Sequence, residues 1–128
     1  MKVPRSTEEL LDDIVTWGDK LARHPSDVTE EAFLKDEKTQ DAVTKCAEAI
    51  GAAAGEILKA EPEIEFRHPE LQLRNANALR NRLSHGYHAI DYEILWNTVS
   101  FSIPGAVDAA RAVLATRRAE NFDGLIGS

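Results

Sequence analysis

Nine consecutive residues, Arg80-Asn81-Arg82-Leu83-Ser84-His85-Gly86-Tyr87-His88, bring two arginines, two histidines, an asparagine, a serine and a tyrosine together. An imidazole titrates near neutral pH, so it can take and return a proton. A guanidinium presents a planar fork of donors that fits the oxygens of a phosphate. His85 is therefore the acid/base candidate and Arg80 the phosphate clamp. Asn81 and Ser84 are supporting hydrogen-bonding residues, Asn81 being placed to orient His85. Arg82 and His88 are candidate contacts to a phosphate backbone. Each of these residues also has a purely structural reading. A histidine near a helix end is ordinarily a surface residue, Arg80 could pair with an acid on a neighbouring helix, and Tyr87 could pack over the helix end.

Helical spacing decides which of them can act together. Residues four apart share a face, so Asn81 and His85 fall in one row and Arg80 and Ser84 in the next. Arg80 and His85 are five apart, roughly 140° around the axis. They reach one small target only if the helix ends between them or a second copy of the motif contributes. Gly86 is a natural place for the helix to stop.

The elements that must carry the motif are all helical. Ser6-Thr7-Glu8-Glu9 reads as a capping box, followed by Leu10, Leu11, Ile14, Trp17 and Leu21 at helical spacing; this helix stops before Pro25. Ser26-Asp27-Val28-Thr29 opens a short helix expected to bury Phe33 and Leu34. Asp36 caps a longer one through about Lys59, with Val43, Cys46, Ile50, Ala53 or Ala54, and Ile57 as its apolar stripe. Cys46 reads as a core residue. Gly51 and Gly55 in that helix cost about 1 kcal/mol each relative to alanine, which close approach of another helix would offset. Residues 60–70 form a connector broken by Pro62 and Pro69. Its Glu65-Phe66-Arg67-His68 has di-iron spacing, but it occurs once and between prolines, so no metal site is assigned. The motif helix starts after Pro69 and runs through Leu71, Leu79 and Leu83 to about Ser84 or Tyr87. Asp91 caps a final helix that Pro104 should kink or restart near Ser102. Residues 1–116 make one domain, and 117–128 read as a frayed tail.

Arg80, four residues, then His85-Gly86-Tyr87 resembles the R-x-x-x-x-H-x-Y signature of HepT-type toxins in the HEPN superfamily of RNases. The segment Asp91-Tyr92-Glu93-Ile94-Leu95-Trp96 and the run from Phe33 to Val43, followed by Ile50-Gly51, resemble that family as well. The likeness covers roughly residues 6–115. It implies an all-α, HEPN-like antiparallel bundle of four to five helices that dimerises, with two motifs facing one cleft. It implies an RNA substrate, cleaved without metal or other cofactor through Arg80 and His85. It also implies an MntA-type nucleotidyltransferase antitoxin that adds AMP to Tyr87, placing negative phosphodiester and bulk beside the anion site. Many members carry an acid directly after the Ile-Gly pair; here that position is Ala52. The competing reading is a helical module that binds a nucleotidyltransferase partner or a nucleotide and cleaves nothing.

Composition sets outer limits. With 128 residues, 43% hydrophobic and 29% charged, the chain suits one soluble domain. No apolar run approaches the ~20 residues of a membrane span, and the N-terminus lacks a secretory pattern; the expected location is the cytoplasm, away from membranes. One cysteine excludes an internal disulfide. The net charge of −7 opposes bulk binding of nucleic acid, and no DNA partner is expected. Yet residues 67–88 hold four arginines, three histidines and a single acid, Glu70, a local anion site within an acidic chain.

Overall fold

A computed structural model describes residues 5–23, 28–85 and 90–126. The helices are α1 (Thr7–Arg23), α2 (Glu30–Lys35), α3 (Glu37–Ala60), α4 (Ile64–Arg67), α5 (Leu73–His85), α6 (Tyr92–Asn97) and α7 (Ile103–Ile126). A 3-10 turn at Pro69–Leu71 precedes α5, and a π-helical turn at Thr98–Ser102 joins α6 to α7. No strand occurs among the described residues. The protein is all-α.

Local chemistry sets the boundaries. The Ser6 hydroxyl accepts from the Glu9 amide at 3.1 Å, Thr29 from Ala32 at 3.1 Å, and Asp36 from Thr39 at 3.4 Å. These side chains satisfy amides that a helix start leaves without partners. The hydrogen bonds from Thr39 also hold the Asp36 carboxyl below its usual pKa. Asp91 accepts from both Glu93 and Ile94 at the start of α6. Pro104, which has no N–H, sits at the second position of α7, immediately after the widened turn. There a missing donor is tolerated. The expected restart near Ser102 is found.

The four long helices α1, α3, α5 and α7 pack antiparallel around one core. Leu10, Leu11, Ile14, Ile50, Ala54, Ile57, Leu73 and Ala110 are buried at its centre. Cys46 lies in the same interior, 4% exposed, and burial pushes its thiol pKa up. The stripe expected on α3 is the face it buries. Antiparallel pairing of α1 and α7 shows in the pairs Asp19–Arg111 at 2.7 Å and Glu8–Arg117 at 3.3 Å. At Gly18 of α1, an added Cβ would stand 2.5 Å from Val107 of α7. Only a residue without a side chain permits that approach.

Three expectations are corrected. Leu34 is exposed, not buried. In the short α2, Phe33 takes the inward position, 5.2 Å from the Trp96 ring, and Leu34, about 100° further round, faces out. The motif helix begins at Leu73 rather than after Pro69, because Gln72 adopts a left-handed conformation (φ 50°) that separates the 3-10 turn from α5. Residues 117–126 are helical rather than a frayed tail. Arg117 anchors them, donating to Glu61 at 2.8 Å and to Glu8 at 3.3 Å.

Candidate functional site

Helix α5 carries the motif. Leu73, Leu79 and Leu83 bury one side of it. The opposite side holds Arg74, Ala78, Asn81 and Arg82, all exposed. No acid occurs in its 13 residues, in a chain with 22 aspartates and glutamates. An acid for its N-terminus comes instead from α4. Glu65 accepts from the Arg74 amide at 3.0 Å and pairs with the Arg74 guanidinium at 3.1 Å, where negative charge complements the helix dipole.

The position of Arg80 is set by α3. An added Cβ at Gly51 would collide with the Arg80 Cβ and stand 2.5 Å from the Ala76 carbonyl oxygen. At Gly55 it would stand 2.5 Å from Asn77 Oδ1. The helix–helix approach inferred from these glycines is thus found, and the neighbour is α5 of the same chain. Thr44, seven residues before Gly51, falls in the same row of α3. Its hydroxyl is buried and has no hydrogen-bond partner among the described residues. Residue type alone gave no sign of that.

Arg80 is exposed at its outer end. Among the described residues, neither it nor Arg82 forms an ion pair, whereas Arg67, Arg74, Arg111 and Arg117 do. Two unneutralised guanidiniums on an acid-free helix are free to meet an anion. The structural reading in which Arg80 pairs with an acid on a neighbouring helix is not what the described residues show.

Helix α5 is unbroken from Leu73 to His85. Asn81 and His85 therefore share one row, and Arg80 and Ser84 the next. Arg80 and His85 stay roughly 140° apart on one helix. The helix does not end between them, so their backbone positions lie on different faces of α5. Of His85 only the backbone is described. Gly86, Tyr87 and His88 lie outside the described residues, as do His24 and Pro25. The residues of the di-iron-like spacing have other partners: Glu65 is engaged by Arg74, and His68 lies 3.3 Å from Glu70.

The sequence model of the HepT-like ribonucleases matches residues 9–113, which include α3, α5 and the motif. The chain belongs to the HepT-like ribonuclease family. Among its relatives, the "Probable ribonuclease HepT" of Thermococcus cleftensis is 34% identical over 100 residues, 78% of this chain and 88% of that protein. The "Putative RNase MJ0127" of Methanocaldococcus jannaschii is 34% identical over 112 residues, 86% of this chain and 88% of that one. No solved structure matches the chain. For a HepT-like chain the all-helical HEPN-type architecture described above is the expected one. No described helix is long and apolar enough to cross a membrane.

Proposed function

We propose that this HepT-like protein is a metal-independent endoribonuclease of the cytoplasm, the toxin half of a toxin–antitoxin pair. The observation that carries the reading is α5 itself: acid-free, exposed along its outer face, with an Arg80 that has no ion pair among the described residues and is held in place by Gly51. Membership of a ribonuclease family supports RNA as the anion it meets. In this reading Arg80 grips the scissile phosphate and compensates the charge that builds on it. His85 moves the protons, taking one from the attacking 2′-hydroxyl or giving one to the departing oxygen. Asn81, one turn before His85, orients the imidazole. Ser84 lies beside Arg80, and Arg82 and His88 hold flanking phosphates.

The 140° between Arg80 and His85 favours a composite site. A homodimer placing two copies of α5 across a cleft lets Arg80 of one chain work with His85 of the other. Tyr87 directly follows the proton-transfer residue and Gly86. An AMP group added there by a nucleotidyltransferase antitoxin would bring a negative phosphodiester to the same cleft and repel substrate phosphate.

The test is cleavage of mixed cellular RNA by purified protein in excess chelator, after intact mass has shown Tyr87 to be unmodified, beside His85→Ala. Cleavage by wild type alone is expected. Absence of cleavage by unmodified wild type, with retained binding to a nucleotidyltransferase, would replace this reading with that of a non-cleaving module.

A further inference from the structure

At the end of α5 remote from His85, Phe66 stands in solvent. It is 79% exposed, on the four-residue α4 between Pro62 and Pro69. Phe101 is equally exposed; what sets Phe66 apart is its surroundings. The guanidinium carbon of Arg74 lies 5.9 Å from its ring centroid. Arg74 is itself fixed by Glu65, which is 17% exposed and binds both the amide and the guanidinium of Arg74. The nearby acids Glu63 and Glu70 are paired with Arg67 at 3.4 Å and with His68 at 3.3 Å. The ring stands in a cation–π arrangement with Arg74.

Arg74 also begins a row. Counting 100° per residue, Arg74, Ala78, Asn81 and the position of His85 fall on one outward line of α5, with Arg82 beside it. Arg74, Ala78, Asn81 and Arg82 are exposed. The row offers Arg74, which is paired with Glu65, and the Asn81 amide; beside it stands Arg82, which forms no ion pair among the described residues. The row has no acid of its own, and its one apolar member is a small alanine. That surface complements a polyanion. A protein partner would be expected to find larger apolar anchors there. From Arg74 to His85 the helix rises about 16 Å, a length spanned by no more than about five nucleotides stacked at about 3.4 Å each.

We propose that Phe66 and Arg74 form a base-stacking subsite for single-stranded RNA, and that the outward row of α5 leads the strand from this platform to the motif. An unpaired base stacks on the Phe66 ring, as bases do on aromatic platforms of single-strand binders. The flanking phosphates run past Arg82. The subsite sets where along a strand the reacting phosphate stops. The inference rests on the ribonuclease reading above.

The experiment is steady-state cleavage by the full chain of two fluorescent oligoribonucleotides: one of about twelve nucleotides, which reaches the platform, and a dinucleotide, which does not. Stacking of one base corresponds to about 5- to 150-fold in affinity, or about 1–3 kcal/mol. Phe66→Ala is expected to raise KM for the long strand by that factor, to leave kcat within about two-fold, and to leave the dinucleotide unaffected; Phe66→Trp restores the wild-type KM. Because Phe66 is outside the core, circular dichroism of the alanine variant should match wild type. An unchanged KM for the long strand, with wild-type cleavage intact, would overturn the subsite and leave the ribonuclease reading standing. So would equal weakening on both substrates, or a loss confined to binding of a protein partner. Failure of unmodified wild type to cleave either strand would remove the ribonuclease reading and the subsite together.

Discussion

At the residue scale the account rests on two side chains with different jobs. Removing the proton-transfer group costs about 10²–10⁴-fold where general acid–base catalysis operates. His85→Ala should therefore lower kcat by at least about 100-fold with the melting temperature little changed; a variant that cleaves like wild type would dismiss His85 from the chemistry. Arg80→Lys tests the clamp more finely than Arg80→Ala. Lysine keeps the charge and loses the fork, so cleavage should stay far below wild type, and full activity in the lysine variant would reduce Arg80 to a point charge. Both residues were candidates from the sequence, since arginine and histidine five apart in a basic segment of an acidic chain stand out. The surroundings of Arg80 on the fold were not legible there. That Arg80 has no ion pair among the described residues depends on which acids the fold brings near, and here Glu65 goes to Arg74 while Glu61 goes to Arg117. No local pattern encodes those choices. Phe66 escaped notice because its exposure is decided by the placement of α4, a four-residue helix with no periodicity to read.

At the scale of elements, the contact of α3 with α5 does the positioning. Gly51→Ala would force the helices apart where the Arg80 Cβ and Ala76 oxygen now stand. Overpacking of that kind costs about 1–3 kcal/mol. A lower melting temperature is expected, with cleavage depressed further than Ala substitutions on the outer face of α3 depress it. Unchanged stability would mean that α5 is held elsewhere. Most helix starts were legible because a capping side chain is a local device: Ser6, Thr29, Asp36 and Asp91 each cap where their type suggests. The start of α5 was not, because it depends on Gln72 adopting a positive φ, a choice for which an ordinary glutamine gives no warning. Its side chain donates to the Ser102 carbonyl at 3.4 Å, a tertiary contact across 30 residues that helps hold that conformation.

At the scale of the molecule, one ion-pair network ties the ends together. Arg117 in the second half of α7 binds Glu8 at the start of α1 and Glu61 at the end of α3. Arg117's hydrogen bond, the largest cause, holds the Glu61 carboxyl at about 2 against an ordinary 4.5. The unfolded chain therefore takes up a proton at Glu61 before the folded chain does. The stabilisation is complete above the ordinary value and is lost as pH falls from about 4.5 toward about 2. The site is partly exposed, so Glu61→Gln should lower stability at pH 7 by only about 1–2 kcal/mol. The gap from wild type should close as denaturation curves are taken toward pH 2, and a gap independent of pH would contradict the role of Glu61. This network holds α7 at Arg117, and the helix continues from there to Ile126, whereas the glycines and polar residues near the chain end pointed the other way.

The central proposal joins all three scales: that Arg80 and His85, roughly 140° apart on an unbroken α5, act across two chains. Purified Arg80→Ala and His85→Ala proteins, each unmodified at Tyr87, would be assayed on RNA in chelator singly and after mixing under conditions that exchange subunits. Each alone should be inert, and the mixture should cleave, since one Arg80 and one His85 then meet from opposite chains. Cleavage by either variant alone at the wild-type rate would contradict the assignment of the residues. Two inert variants that stay inert once subunit exchange has been verified would contradict the composite site.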